Sequence, residues 1–502
     1  MVRKVIVVGG GSAGFMAALA LKVKLPSLRV VAIRSKDIGI IGVGEGSTVP
    51  LTNFLHGFLK ADFRMLLKLA QPTWKLGLKF KWGPRPHFYY PFGPQMDFTP
   101  HALPRNIAYY CDESLDDATV EMSMMAQDKA FFRNADGSPR LHTNVAYHFE
   151  NEKFVAYLEA FAARVGVEVI EDTIRAVKQD EAGVSGLDLA SGATESADLY
   201  VDCSGFKSLL LGETLKEPFV SYKPSLFCDR AVVGGWERTV EPIHPYTTSE
   251  SMDAGWAWQI EHVNRINRGY VYSSGFISDE QAEQEFRRKN ARVGPTRIVK
   301  FVSGRYERSW VKNVVAIGNA SGFVEPLEAT ALGLIGTRSQ LVAQILTETG
   351  GELSAMQVDL FNKHHARAWD TIRDFLACHY RFNHHLTTPF WRHCQQETDL
   401  AGARAMVEYY QEYGPAGTWG PLMVDPLCGF GPNGYLTILV GQKVPHKRPY
   451  APPEPERAVW NNLRKQNAET ARKAMTVAEA LRALGVANVP LAAAGPSHAA
   501  SA

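Results

Sequence analysis

Three segments in which a short apolar strand runs straight into small residues, and a long helix-compatible stretch over 352–412, predict an α/β fold. The segments are VIVVGGGSAG (5–14), DLYVDCSGFKSLL (198–210) and VVAIGNASGF (314–323). Each places apolar residues on a buried strand and ends in a small-residue turn. Spread over about 320 residues, they describe one nucleotide-binding domain assembled from distant parts of the chain. A simple NAD dehydrogenase has no need of the third turn, so the layout is that of a flavoprotein. The expected architecture is an FAD-binding domain of the glutathione-reductase kind, with an inserted mixed sheet around 75–310 and a mostly helical C-terminal part. In chain terms, 1–345 forms the composite FAD-binding region, 346–483 caps the substrate side, and 484–502, rich in Ala, Pro, Gly and Ser, is expected to be a disordered tail.

The first turn is the most informative. Gly9, Gly11 and Gly14 fit G-x-G-x-x-G, which serves a tight turn, a close backbone approach to a pyrophosphate and close helix–strand packing. The helix that follows offers free N–H groups and a positive dipole end to phosphates. Gly9, Gly10, Gly11, Ser12, Ala13 and Gly14 are therefore cofactor-binding candidates. Gly10 to Gly14 also spell G-x-S-x-G, the hydrolase nucleophile elbow, but an elbow serine follows several strands and Ser12 lies in the first βα turn. The second strand, LRVVAI (28–33), ends at Arg34 and Ser35, where an acidic residue often binds a ribose hydroxyl. Arginine there suits a 2′-phosphate or packing against an adenine face. A second glycine-rich loop, GVGEG (42–46), suits a backbone passing close to a flat ligand, or is an ordinary surface loop.

Composition narrows the function classes. With 45% hydrophobic and 21% charged residues, the 502-residue chain reads as a soluble globular protein of two or three domains, or of one large composite one. A net charge of +2 gives no electrostatic case for nucleic acid or an anionic membrane as partner. No apolar run approaches the ~20 residues of a membrane span, and the first strand begins by residue 4, leaving no room for a signal peptide. Cysteines 111, 203, 228, 378, 394 and 428 are scattered without C-x-x-C pairing, so a reduced, cytoplasmic enzyme is expected. The pairs His364-His365 and His384-His385 are adjacent residues that cannot face one ligand on a helix, so no metal site is expected.

Further motifs carry side-chain chemistry. In TWKLGLKFKW (73–82), Leu76, Leu78, Phe80 and Trp82 alternate with Lys75, Gly77, Lys79 and Lys81, the pattern of a strand with one apolar face. Spacing alone leaves all three lysines readable as solvated. In FVEPLEATALGLIG (323–336), Pro326 pushes Glu325 toward extended geometry and lets a helix begin just after it. Glu328 then sits in the first helical turn, where a carboxylate is electrostatically favoured, and reads as a capping acid or a functional one. The loop GPRPHFYYPFGPQ (83–95) is rich in aromatics and suits the wall of a site better than a spacer.

The ordered set GGGSAG (9–14), GVGEG (42–46), TWKLGLKFKW (73–82), DCSGF (202–206), GWAWQI (255–260) and FVEPLEAT (323–330) resembles the flavin-dependent halogenases of the tryptophan-halogenase type. TTPFW (387–391) and VGQKVP (440–445) look familial too. The resemblance implies FADH2- and O2-dependent halogenation, by chloride or bromide, of an electron-rich aromatic, an indole above all. It implies hypohalous acid passed through a closed internal path to a buried lysine, and such a path keeps the oxidant from water and other side chains. The lysine maps to Lys75, with Lys79 as second choice; burial lowers a lysine's pKa toward reactivity. Glu328 maps to the acid/base that positions the hypohalite and takes the proton from the arenium ion. The amides of Thr330 and Ala331 match the halide site. Cofactor contacts carried over are the first turn with Arg34, Ser35, Ile38, Gly44, Glu45, Gly46, Ile174, Gly318, Asn319 and Leu332. Phe92, His101 and Trp391 are candidates to frame a flat substrate. A separate flavin reductase is the implied partner.

Three departures stand out. The family's P-L-E-S-T-G reads Pro326-Leu327-Glu328-Ala329-Thr330-Ala331, losing a hydroxyl and a glycine; Ala331 would be strained if a positive φ were needed there. The family's W-x-W-x-I-P reads Trp256-Ala257-Trp258-Gln259-Ile260-Glu261. That motif is thought to discourage ordinary monooxygenation, so a flavin-dependent aromatic hydroxylase is the alternative; on a strand, the two tryptophans also read as plain core.

Overall fold

The computed structural model describes residues 1–35, 38–39, 44–93, 96–141, 144–486 and 489. Gly42 and Val43 of the second glycine loop, Pro94 and Gln95 of the aromatic loop, and most of the expected tail lie outside the described residues.

Strand Lys4–Val8 lies in the interior of a six-stranded sheet. Parallel neighbours are Leu199–Asp202 on one side and Arg29–Arg34 on the other, with Val7 opposite Val201 and Ala32. Val314–Ala316 and Glu168–Glu171 extend the sheet, also in parallel, and Trp310–Val311 closes one edge antiparallel. The continuous β-branched runs are the signature of strands buried on both faces. All three strand-then-turn segments of the sequence thus meet side by side, although the chain visits them some 320 residues apart. Helix Ser12–Lys24, rich in Ala and Leu, packs against helices Asn151–Val165 and Ala331–Glu348.

The second turn is held from within. The buried Asp202 carboxylate accepts from the N–H groups of Ser204 (3.1 Å), Leu210 (2.7 Å) and Leu211 (3.0 Å), so the chain folds back tightly after its strand.

A seven-stranded mixed sheet stands apart from the first, in the order Arg297–Lys300, Arg230–Glu237, Arg265–Tyr272, Gly255–Glu261, Tyr246–Met252, Gly77–Lys81, Phe88–Pro91. Its pairs are antiparallel except Tyr246–Met252 with Gly77–Lys81. The aromatic loop of the sequence therefore contains the edge strand of this sheet.

The lysine segment departs from a single strand. It breaks at Leu76, whose N–H bonds the Pro245 carbonyl (2.7 Å) and whose carbonyl accepts from Phe92 N (2.8 Å). Thr73–Lys75 joins a separate three-stranded sheet with Ala146–Phe149 and Glu45–Gly46, while Gly77–Lys81 enters the mixed sheet. Leu76, Leu78, Phe80 and Trp82 are all buried, as the alternation requires.

The C-terminal part is helical. Ala355–Arg381 opens with a capping box between Ser354 and Gln357, and Pro389–Glu397, Arg404–Tyr413 and Gly431–Gly441 follow. Among the described residues no helix is long and apolar enough to cross a membrane.

Candidate active site

The first turn has the geometry of a phosphate cradle. A Cβ at Gly14 would lie 1.9 Å from the Gly9 carbonyl oxygen, and one at Gly9 would lie 2.3 Å from the Cys203 oxygen. Gly9 also holds φ at +127°, a conformation that glycine adopts freely. At Gly11 a Cβ would meet nothing within 4 Å, so the turn is tight on the protein side and open on the other. Ser12 and Ala13 begin the helix, whose first N–H groups have no acceptor in the preceding turn. A Cβ at Gly318 would sit 3.0 Å from that of Ala13, which brings Gly318–Ala320, with half-buried Asn319, against the first turn. Buried Leu332 follows in the helix that begins at Ala331. These residues fit a dinucleotide cofactor.

Arg34 is engaged elsewhere. Its guanidinium pairs with Glu159 (2.7 Å) and Glu171 (2.6 Å), and its aliphatic stem underlies Gly10, where a Cβ would come 2.4 Å from the Arg34 Cβ. Paired with two carboxylates, it is poorly placed to take a 2′-phosphate, which leaves packing as the role of its stem. Ser35 bonds the Thr173 hydroxyl (2.7 Å), and Thr173 precedes Ile174 at the start of its strand. Ile38 is 71% exposed.

The described end of the second glycine loop reaches Lys75. A Cβ at Gly44 would touch His262 Nε2 and Asn267 Nδ2, both at 2.7 Å. Glu45 accepts from Asn151 Nδ2, and burial pushes its carboxyl up to about 7. A Cβ at Gly46 would meet Thr247 Oγ1 at 3.3 Å, Ala329 Cβ at 3.4 Å and Lys75 Nζ at 3.5 Å. Beyond it, Thr48 and Pro50 abut Gly333.

Lys75 and Glu328 are close enough here for the charge of the carboxylate to act on the lysine. Lys75 is fully buried, and its Nζ has no hydrogen-bond partner among the described residues. Burial pulls its ammonium down to about 7, while the Glu328 charge pulls the other way. The Phe92 ring centroid lies 5.3 Å from Nζ, a cation–π distance. Glu328, 1% exposed, bonds His379 Nε2 through Oε1 (2.7 Å), and its Oε2 has no partner among the described residues. A buried lysine and a buried carboxylate, each with an unmet bonding site, form a place for a polar ligand that the protein does not itself supply. Lys79 differs: half-buried, it lies 5.3 Å and 5.7 Å from the Tyr89 and Tyr246 ring centroids.

The segment around Glu328 is not the helical first turn expected. Pro326–Glu328 is a single 3-10 turn, Ala329 stands at φ +54°, Thr330 caps, and the α-helix begins at Ala331. The left-handed strain thus falls on Ala329 and not on Ala331. Thr330 and Ala331, at the helix start, contribute N–H groups among those a helix leaves unsatisfied.

The substrate candidates divide. Phe92 stands over Lys75, whereas His101 is exposed in a turn. Trp391 is fully buried, its Nε1–H donates to the Met252 carbonyl (2.8 Å), and its ring packs on Trp82 and Tyr380 at 5.1 Å and 5.7 Å. That places Trp391 in a packed aromatic cluster. Tyr90, in the aromatic run of the same loop and two residues from Phe92, is buried, and burial with the nearby Glu328 charge holds its phenol well above the usual range. Sequence reasoning passed over His379, for which a lone histidine on a helix gives no signal.

The remaining departure has a structural account. Trp256 and Trp258 are buried 6.1 Å apart, and Trp256 packs on Trp82. Glu261 is buried in an ion pair with Arg238, itself held by the His262 carbonyl at 3.0 Å. The carboxylate that replaces the family's proline is thus neutralised locally.

Comparison with known proteins gives the family. The tryptophan halogenase family pattern matches residues 4–452. Tryptophan 6-halogenase ThaL of Streptomyces albogriseolus is 32% identical over 441 residues, covering 82% of each chain. Tryptophan 7-halogenase RebH of Lentzea aerocolonigenes is 30% identical over 440 residues, again 82% of each. The crystal structure of MibH, a lanthipeptide tryptophan 5-halogenase, superposes with a TM-score of 0.87 at 35% identity, over 96% of this chain and 93% of that one. The chain belongs to the tryptophan halogenase family of flavin-dependent enzymes.

Proposed function

We propose that the chain halogenates an indole, with Lys75 holding the electrophilic halogen and Glu328 taking the proton that the ring gives up. The observation that carries this reading is the buried pair itself: Nζ of Lys75 and Oε2 of Glu328 both lack a partner among the described residues. Reduced FAD, with oxygen and chloride or bromide, supplies the halogen at the oxidation level of hypohalous acid. The cradle of Gly9–Gly14, Gly44–Gly46, Gly318, Asn319 and Leu332 would hold FAD, with Ser35, Ile38 and Ile174 toward its far end and the Arg34 stem beneath Gly10. The Thr330 and Ala331 amides would hold the halide.

Gly46 has no side chain to crowd Lys75 Nζ, where a Cβ would come within 3.5 Å. A Lys75 group titrating near 7 has both forms at hand: the ammonium donates a hydrogen bond to hypohalous oxygen, and the amine accepts halogen. Phe92 and Tyr90 offer aromatic surface to a flat substrate. Glu328, the nearby carboxylate, balances the cationic ring intermediate and accepts its proton. With no second nucleotide site assigned, a separate flavin reductase is the source of FADH2.

The test is an aerobic incubation of the chain with FAD, a flavin reductase, NADH and bromide, offered a panel of indoles and phenols, with products read by mass spectrometry. The expected product shows a bromine isotope doublet that disappears in Lys75→Ala. Oxygen incorporation without bromine, surviving Lys75→Ala, would assign a hydroxylase instead.

A further inference from the structure

His379 stands near the C-terminal end of helix Ala355–Arg381, fully buried, and both ring nitrogens are engaged. Nδ1 lies 2.9 Å from the Phe375 carbonyl oxygen and Nε2 lies 2.7 Å from Glu328 Oε1. A carbonyl oxygen only accepts, so Nδ1 carries a hydrogen. A neutral ring with its hydrogen on Nδ1 presents a lone pair at Nε2. Two lone pairs would then face each other across 2.7 Å unless a proton sits between Nε2 and Oε1. The pair therefore holds that proton, as imidazolium and carboxylate or as imidazole and carboxylic acid. The ring is confined: Phe375, Phe80 and Trp82 surround it at 5.0, 5.3 and 6.5 Å, and Trp82 Nε1 donates to the His379 carbonyl at 2.7 Å.

We propose that His379 is a positioning residue for Glu328, tying Oε1 through an Nε2–H bond so that Oε2 alone is offered to the substrate. This rests on the reading of Glu328 as proton acceptor. In that step the C–H bond at the halogenated ring carbon breaks, its electron pair restores the aromatic system, and the proton passes to Oε2. The cationic intermediate becomes neutral product, the carboxylate becomes an acid, and the Nε2 proton stays on His379. Without His379 the carboxylate would be buried with no donor at Oε1, and nothing would fix which oxygen faces the substrate.

The test compares His379→Phe and His379→Asn in the FAD-loaded enzyme with bromide and indole, beside 15N spectroscopy of histidine-labelled resting protein. His379→Phe should lower kcat about a hundredfold, with KM and FAD affinity held within about twofold. His379→Asn, whose amide can donate to Oε1, should recover about tenfold of that loss. The His379 spectrum should show both ring nitrogens protonated, and the Nε2 signal should shift in Glu328→Gln. Unchanged kcat in His379→Phe, an equal loss in both variants, or an Nε2 without a proton would overturn the proposal. Should the phenylalanine variant fail to fold, the asparagine variant and the spectrum decide. Full activity in Glu328→Gln would overturn the reading of Glu328 itself, while the Nε2 signal of the unsubstituted enzyme still reports whether the pair exists.

Discussion

The glycine cradle of the first turn and the Lys75–Glu328 centre are made from opposite materials. In the cradle the backbone decides: Gly9, Gly14 and Gly318 are places where a Cβ would come within 3.0 Å of a neighbour, while at Gly11 a Cβ would meet nothing within 4 Å. In the centre, side chains decide: a lysine and a carboxylate are held out of water with bonding capacity unspent. Backbone cradles bind by shape and N–H donors, and change little with pH. Buried ionisable groups are costly to hold and are tuned by their surroundings, which suits chemistry. Damage to the first should therefore abolish binding and chemistry together, and damage to the second should abolish chemistry alone.

The largest effect expected is on the centre. Glu328→Gln keeps the shape and the hydrogen-bonding oxygen but cannot accept a proton as a carboxylate does. Single-turnover bromination should slow by about two to three orders of magnitude while FAD affinity, read by flavin fluorescence, is unchanged. Gly14→Ala attacks the cradle, because its Cβ would fall 1.9 Å from the Gly9 oxygen. FAD affinity should drop about a hundredfold, with bromination restored in part by excess FAD. A loss confined to one property in Gly14→Ala would break the comparison from the cradle side.

Two smaller effects sharpen it. Folding lowers the Lys75 value from 10.5 to about 7. Between those values the unfolded chain binds the proton and the folded chain does not, so stability rises with pH through that window. Chemical denaturation at pH 7 and at pH 10 should reveal a slope in the wild type that Lys75→Met flattens. Ala329 holds φ at +54° without a glycine's freedom. Ala329→Gly should raise unfolding stability by about 1 kcal/mol, measured by the same method, without change in FAD affinity.

This contrast also explains what could be read from the chain before its structure. Gly9, Gly11 and Gly14 announce their turn because a backbone constraint leaves a local, regular mark. The strand runs around Val5, Tyr200 and Val315 announce their sheet in the same way, through apolar continuity. Lys75 was locatable only by resemblance, since Lys79 and Lys81 share its alternation; what separates them is the chain break at Leu76, set by Pro245 from another part of the fold. Glu328 was similarly located, but its turn was not: the 3-10 turn and the left-handed Ala329 replace a helical start. His379 left no local mark, because its importance comes from a contact 51 residues away in sequence. His101 and Trp391 show the reverse, aromatic or polar residues that composition singles out and tertiary packing places in an exposed turn and a closed cluster.

The most direct test of the separation between binding and chemistry is to measure FAD affinity and bromination side by side in the wild type and Lys75→Ala. The account predicts FAD bound with wild-type affinity and no brominated indole. Brominated product at the wild-type rate would contradict it, as would a loss of FAD binding that accounts for the lost activity.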